Sequence, residues 1–179
     1  PEGLCFPDAY YFARGSTGPA VMKRGYRALH NRLAVAWSRR RADLPLASPY
    51  EALILASIVE KETGSATDRP LIASVFINRL KRGMRLQTDP TVIYGMGPHF
   101  DGNLRKRDLE ADSPYNTYVR NGLPPTPIAL PSQASLDVVV NPPVTPYLYF
   151  VSRGDGTSEF SANLIEHNRA VSKYQIGGS

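Results

Sequence analysis

Two glutamates stand where a long apolar run meets polar residues, in the stretch Ala-Ser-Ile-Val-Glu-Lys-Glu-Thr that ends at Thr63. On a helix, Glu60 shares a face with Leu53, Ala56, Ser57 and Thr63. Desolvation on that face disfavours the charged carboxylate and raises its pKa, which suits a general acid working near neutral pH. The other reading of Glu60 is an ion pair with a cation such as Arg79, a structural role only. Glu62, two residues on, is rotated to the far side of the helix and takes no share in Glu60's task. Asp89, in Gln-Thr-Asp-Pro, reads either as the N-cap of a helix starting at Pro90 or as the second carboxylate of a glycosidic-bond hydrolase acting with Glu60. Gln87, Tyr94, Tyr115 and Asn116 are neutral hydrogen-bonding groups suited to a sugar groove and equally to loop braces.

Other chemistries lose support. His30, His99 and His167 lack paired ligand spacing and Cys5 is the sole cysteine, so neither a metal site nor an internal disulfide is expected, and no cofactor is implied. No Walker loop, dinucleotide fingerprint or G-x-S-x-G elbow occurs. Lys and Arg total 21 against 16 Asp and Glu, a net charge of +5 that suits an acidic polymer or surface without naming one. The clusters Arg39-Arg40-Arg41 and Arg105-Lys106-Arg107 read as solvated faces, and with no nucleic-acid module beside them no nucleic-acid partner is expected. The longest uncharged apolar run, Ala52 to Val59, is far below the roughly 20 residues of a membrane helix. A chain that begins with Pro1 reads as an excised segment, with any membrane anchor upstream.

The elements that must position these groups have clear punctuation. The aromatic, Pro7-interrupted opening reads as an edge strand or strapping segment. After Pro19, Met22, Tyr26, Leu29, Leu33, Ala36 and Trp37 recur at helical spacing. Ser48-Pro49-Tyr50-Glu51 is a capping box that starts a helix running to about Gly64, and its middle, apolar all round, predicts the buried centre of the domain. Thr67 and Asp68 offer the cap of a third helix that closes at Gly83 and pairs antiparallel with the second. Thr88-Asp89-Pro90 and Ser113-Pro114-Tyr115-Asn116 open two short helices. Seven of the 16 prolines fall between Pro124 and Pro146 and read as rigid walls. A β-hairpin follows in YLYFV-SRGDGT-SEF, and a final helix in NLIEHNRAVSKY. The fold class is α+β: helix-rich, with a buried core helix, Pro-rich walls and a C-terminal β-hairpin plus helix.

The runs ASIVEKET, VFINRLKRGMRLQTDPTVIYG, DSPYNTY, NGLPPTPIALPS, TPYLYFV and FSANLIEHN resemble, over nearly the whole chain, the YceG-like (MltG) endolytic lytic transglycosylases of bacterial cell walls. The resemblance implies cleavage of the β-1,4 bond between N-acetylmuramic acid and N-acetylglucosamine in peptidoglycan glycan strands, leaving 1,6-anhydromuramic ends, without a cofactor. It implies that the first acid of the EKE motif, Glu60, is the catalytic residue, serving first as acid and then as base. The Tyr115-Asn116-Thr117 run is similar to the AYN element of the wider lytic transglycosylases, which implies orienting and substrate-contacting roles. Gln87 and Asn163 are comparable to groove residues of such relatives. The resemblance further implies residues 1–18 as the edge of a LysM-like region or a strapping strand, residues 19–179 as the catalytic domain, an N-terminal inner-membrane anchor outside this segment, a periplasmic location, and peptidoglycan synthases as partners. A hydrolytic muramidase using Glu60 and Asp89, and a non-catalytic glycan-binding module, are the alternatives.

Overall fold

The computed structural model describes residues 2–176. Its first helix, α1 (Gly18–Ser38), turns Leu29, Leu33 and Ala36 inward and leaves Met22 and Tyr26 about half exposed. The second, α2 (Pro49–Glu62), starts where Ser48 accepts the Glu51 N–H at 3.2 Å, while Glu51 accepts the Ala47 N–H at 2.7 Å, one residue before the cap. Every residue from Ala52 to Val59 is buried, as an apolar helix without a polar face requires. Helix α3 (Arg69–Lys81) packs against α2 and stops before Gly83, whose φ of +64° only glycine adopts freely. Asp68 occupies its cap position but makes no capping bond.

Helix α4 (Asp89–Met96) is capped at Thr88, so Asp89 is its first residue and not the expected N-cap. The helix expected from Ser113 is a turn instead, and the short helix of this region is α5 (Lys106–Glu110). A further helix, α6 (Gln133–Val140), lies between the proline-rich walls, where no helix is expected from the sequence. Leu136, Val139 and Val140 bury it against α2, α3 and α1 at the centre of the core. The wall before it is pinned by Ser57, which accepts the Ile128 N–H at 2.9 Å and donates to its own helix at Ile54.

Strands β1 (Tyr149–Ser152) and β2 (Ser158–Ser161) form the expected antiparallel hairpin, with Tyr149 opposite Ser161. Helix α7 (Leu164–Val171) packs on it and continues as a wider π turn through Ile176. Among its described residues the opening segment contains no strand. It is a strap on α1: Phe6 is buried, its N–H bonds Gly25 O at 3.1 Å, and a Cβ on Gly25 would meet Cys5 Sγ at 3.3 Å. Among the described residues no helix is long and apolar enough to cross a membrane.

Candidate active site

The last residue of α2 opens onto a cleft of about 550 Å³. Glu62 enters it from α2, Arg79 from α3, Gln87 and Asp89 from the segment leading into α4, Tyr118 from the following loop, Tyr149 from β1, and His167 and Asn168 from α7. The walls therefore come from the core helices on one hand and the C-terminal hairpin and helix on the other.

Glu62 is half-buried, and Thr88 donates its hydroxyl to Oε1. Desolvation pushes its pKa up to about 7; the Thr88 bond opposes the shift and the charge of Asp89 adds to it. Its place at the carbonyl end of α2 acts in the same direction, because that end of a helix repels negative charge. A carboxyl of this kind holds or releases a proton near neutral pH. Asp89 accepts the Tyr118 hydroxyl at 2.5 Å, and the Tyr118 pKa is raised, chiefly by desolvation and then by Asp89. Gln87 is the one non-glycine among the described residues with a positive φ, +53°, a conformation that L-residues rarely adopt. It is held there by its N–H to Thr117 O at 3.1 Å and by Arg79 Nη1 to its Oε1 at 3.2 Å.

Glu60 sits elsewhere. It does not line this cleft; its Oε2 accepts the Ser132 N–H at 2.9 Å, the Ser132 hydroxyl at 2.7 Å and the Ser135 hydroxyl at 2.6 Å. These donors are the first turn of α6, where backbone N–H groups and the helix dipole favour an anion. Desolvation, the largest single influence, raises its pKa, but the bonds from Ser135 and Ser132 and the charge of Arg69 together outweigh it and hold the pKa below the ordinary value. The elevation expected for Glu60 is thus reversed, because the face it shares with Ser57 meets polar donors and not apolar side chains. The expected ion pair with Arg79 is also absent: Arg79 donates to main-chain carbonyls of Leu148, Arg85 and Leu86.

Gln87 and Asp89 are the only expected site residues brought into this cleft. Asn116, 1% exposed, spends its amide on the carbonyls of Asp108, Leu109 and Ala111 and its oxygen on the Tyr118 N–H, which makes it a loop brace. Thr117 is buried and bonds Thr88 N and Thr91 Oγ1, locking the approach to α4. Tyr115 bonds Thr126 at 2.8 Å and packs on Tyr94, whose hydroxyl donates to Glu2. Asn163 caps α7 by accepting the Glu166 N–H at 3.0 Å. Glu62, Arg79, Tyr118, Tyr149 and His167 were missed as cleft residues. Only Glu62 left a signal: on a helix it stacks over Ile58 and Val59, both apolar, whereas Glu60 stacks over Ala56 and Ser57.

Residues 1–173 match the model of the YceG-like family. The chain belongs to the YceG-like family. Among its curated relatives is a protein of Bacillus subtilis named endolytic murein transglycosylase, 41% identical over 174 residues that make up 97% of this chain and 48% of that protein. A protein of the same name from Streptococcus pneumoniae is 32% identical over 97% of this chain and 32% of its own length. The chain thus spans about half or less of the curated relatives it matches. A solved YceG-like protein from Listeria monocytogenes, 38% identical, superposes with a TM-score of 0.80 over 93% of this chain and 54% of that one, which places this α+β arrangement within the YceG-like fold.

Proposed function

We propose that this chain cleaves the N-acetylmuramic acid–β-1,4–N-acetylglucosamine bond within peptidoglycan glycan strands and forms 1,6-anhydromuramic ends, with Glu62 as the proton-transferring group. The observation that carries the reading is a single carboxyl with a pKa near 7 in the cleft of about 550 Å³, on a chain whose YceG-like relatives are named endolytic murein transglycosylases. Thr88 fixes Oε1 of Glu62, which leaves Oε2 to carry the proton. That proton passes to the glycosidic oxygen as the C1–O bond breaks, and positive charge develops at C1 and the ring oxygen. The carboxylate so formed then takes the proton of the muramic C6 hydroxyl, whose oxygen closes on C1. The proton count returns to its start, and no water enters. The attacking hydroxyl is already on the substrate, so its effective concentration is high and no second carboxylate is required to activate a nucleophile. Asp89, fixed by Tyr118, supplies negative charge to the oxocarbenium-like state.

In this reading Glu60 is the brace that joins α2 to the start of α6, and the catalytic role implied for it passes to its neighbour. Periplasmic location and peptidoglycan synthase partners rest on the family resemblance alone. A hydrolytic muramidase is favoured by one observation, that Glu62 and Asp89 line the same cleft. Mass spectrometry of glycan strands after incubation with the chain separates the two. Ends one water lighter than reducing ends are expected; reducing ends instead assign Glu62 and Asp89 to hydrolysis, and binding without cleavage assigns a binding module.

A further inference from the structure

Arg79 is 7% exposed and forms part of the cleft wall. Its Nε donates to Leu148 O at 2.7 Å, and its Nη1 to Arg85 O at 3.0 Å, Leu86 O at 2.9 Å and the Gln87 side chain at 3.2 Å. Among the described residues Nη2 donates to no protein group, and no carboxylate pairs with the guanidinium, although eight ion pairs form elsewhere. The ring of Tyr149 lies 5.1 Å from the guanidinium carbon and stacks in turn on His167, at 5.1 Å and 23°. His167 Nδ1 is buried and has no hydrogen-bond partner among the described residues.

A guanidinium keeps its charge at any physiological pH, and a buried charge without a counter-charge is costly. Four neutral acceptors orient this one rigidly but neutralise none of its charge. Nε and Nη1 are thereby committed, and Nη2 is the donor left to a group bound in the cleft that Arg79 lines.

We propose that Arg79 is the receptor for a carboxylate of the bound glycan strand, with Tyr149 and His167 as the platform that fixes it. The proposal deepens the reading above and rests on it for the substrate class. Peptidoglycan offers carboxylates of two origins: the lactyl group of a naked muramic residue and the acid groups of the peptide stem. Muramic residues alternate along the strand, so such carboxylates recur on either side of the scissile bond. The one seated at Arg79 and away from Asp89 fixes the register of the strand across Glu62. Gln87, held by the same guanidinium in its left-handed conformation, shares the positioning.

Calorimetric binding tests this without requiring cleavage. Short glycan fragments are titrated into the chain as free acids and as their carboxamides, one pair carrying the peptide stem and one pair naked. A charge-assisted bond predicts about tenfold tighter binding of the acid than of the amide, in the stem pair or in the naked pair according to the origin of the carboxylate. Arg79→Gln abolishes the difference between acid and amide, and Arg79→Lys restores part of it. Equal affinity for acid and amide in both pairs, or no binding of either, overturns the proposal. Failure of the chain to cleave strands while the tenfold difference stands would overturn the proposed reaction and leave the carboxylate receptor intact.

Discussion

Glu60 and Glu62 lie two residues apart on α2 and have opposite surroundings. Glu60 faces the N-terminal turn of α6, where a backbone N–H and two serine hydroxyls converge on one oxygen and hold its proton affinity below the ordinary value. Glu62 ends its own helix at the carbonyl pole, takes a single hydroxyl bond and shares its cleft with Asp89, and its pKa rises to about 7. Desolvation raises the proton affinity of both carboxyls, but it is much deeper at Glu62, whereas at Glu60 the converging donors outweigh it. Depth of desolvation set against the number of donors and the polarity of the nearest helix end separates the two.

The largest effect expected from this contrast concerns turnover. Glu62→Gln keeps the Thr88 bond but removes the transferable proton, and cleavage of glycan strands should fall by about 10² to 10⁴, the usual worth of general acid–base catalysis. Next comes pH. The proton must be on Glu62 at the start, so kcat/KM should be sustained below pH 7 and decline about tenfold per unit above it.

Stability should change in opposite directions at the two positions. The raised pKa of Glu62 means that stability is fully present below its unfolded value of 4.5 and is lost as pH rises towards 7. Glu62→Gln should therefore raise stability at pH 8 by up to about 3 kcal/mol in denaturant melts. Glu60, with a lowered pKa, contributes stability above its unfolded value that is lost as pH falls through the folded one. Glu60→Gln should cost about 1–3 kcal/mol by loosening α6, with activity per folded molecule nearly intact. The smallest shift of the pH profile is expected at Asp89, alongside a loss of rate from the missing charge near C1. Asp89→Asn removes a charge that raises the Glu62 pKa, and the alkaline limb of the pH profile should move down by less than about one unit.

How far these environments could be read beforehand differs by element. Helix α2 was legible because its cap, its proline and its unbroken apolar run all agree. The hairpin and α7 were legible from turn residues and spacing. Helix α6 was not, because eight residues between proline clusters give little periodic signal, although Ser132 caps it and Leu136, Val139 and Val140 bury it. Without α6, nothing tells which face of α2 meets serine donors, so the raised pKa expected at Glu60 is found at Glu62. Gln87 and Asp89 were legible by type as cleft residues. Asn116, Thr117 and Asn163 have the same kinds of side chain, but their hydrogen-bond partners lie in the backbone of loops and caps that sequence spacing alone does not fix. Arg79, Tyr149 and His167 meet only through the packing of α3, β1 and α7, contacts remote along the chain.

The contrast between the two glutamates is tested most directly by carbon-detected NMR titration of their side-chain carboxyls, assigned with the Glu60→Gln and Glu62→Gln variants. A midpoint near 7 for Glu62 and one below 4.5 for Glu60 is the predicted result. A midpoint for Glu60 well above that of Glu62 would contradict it and return the proton-transferring role to Glu60.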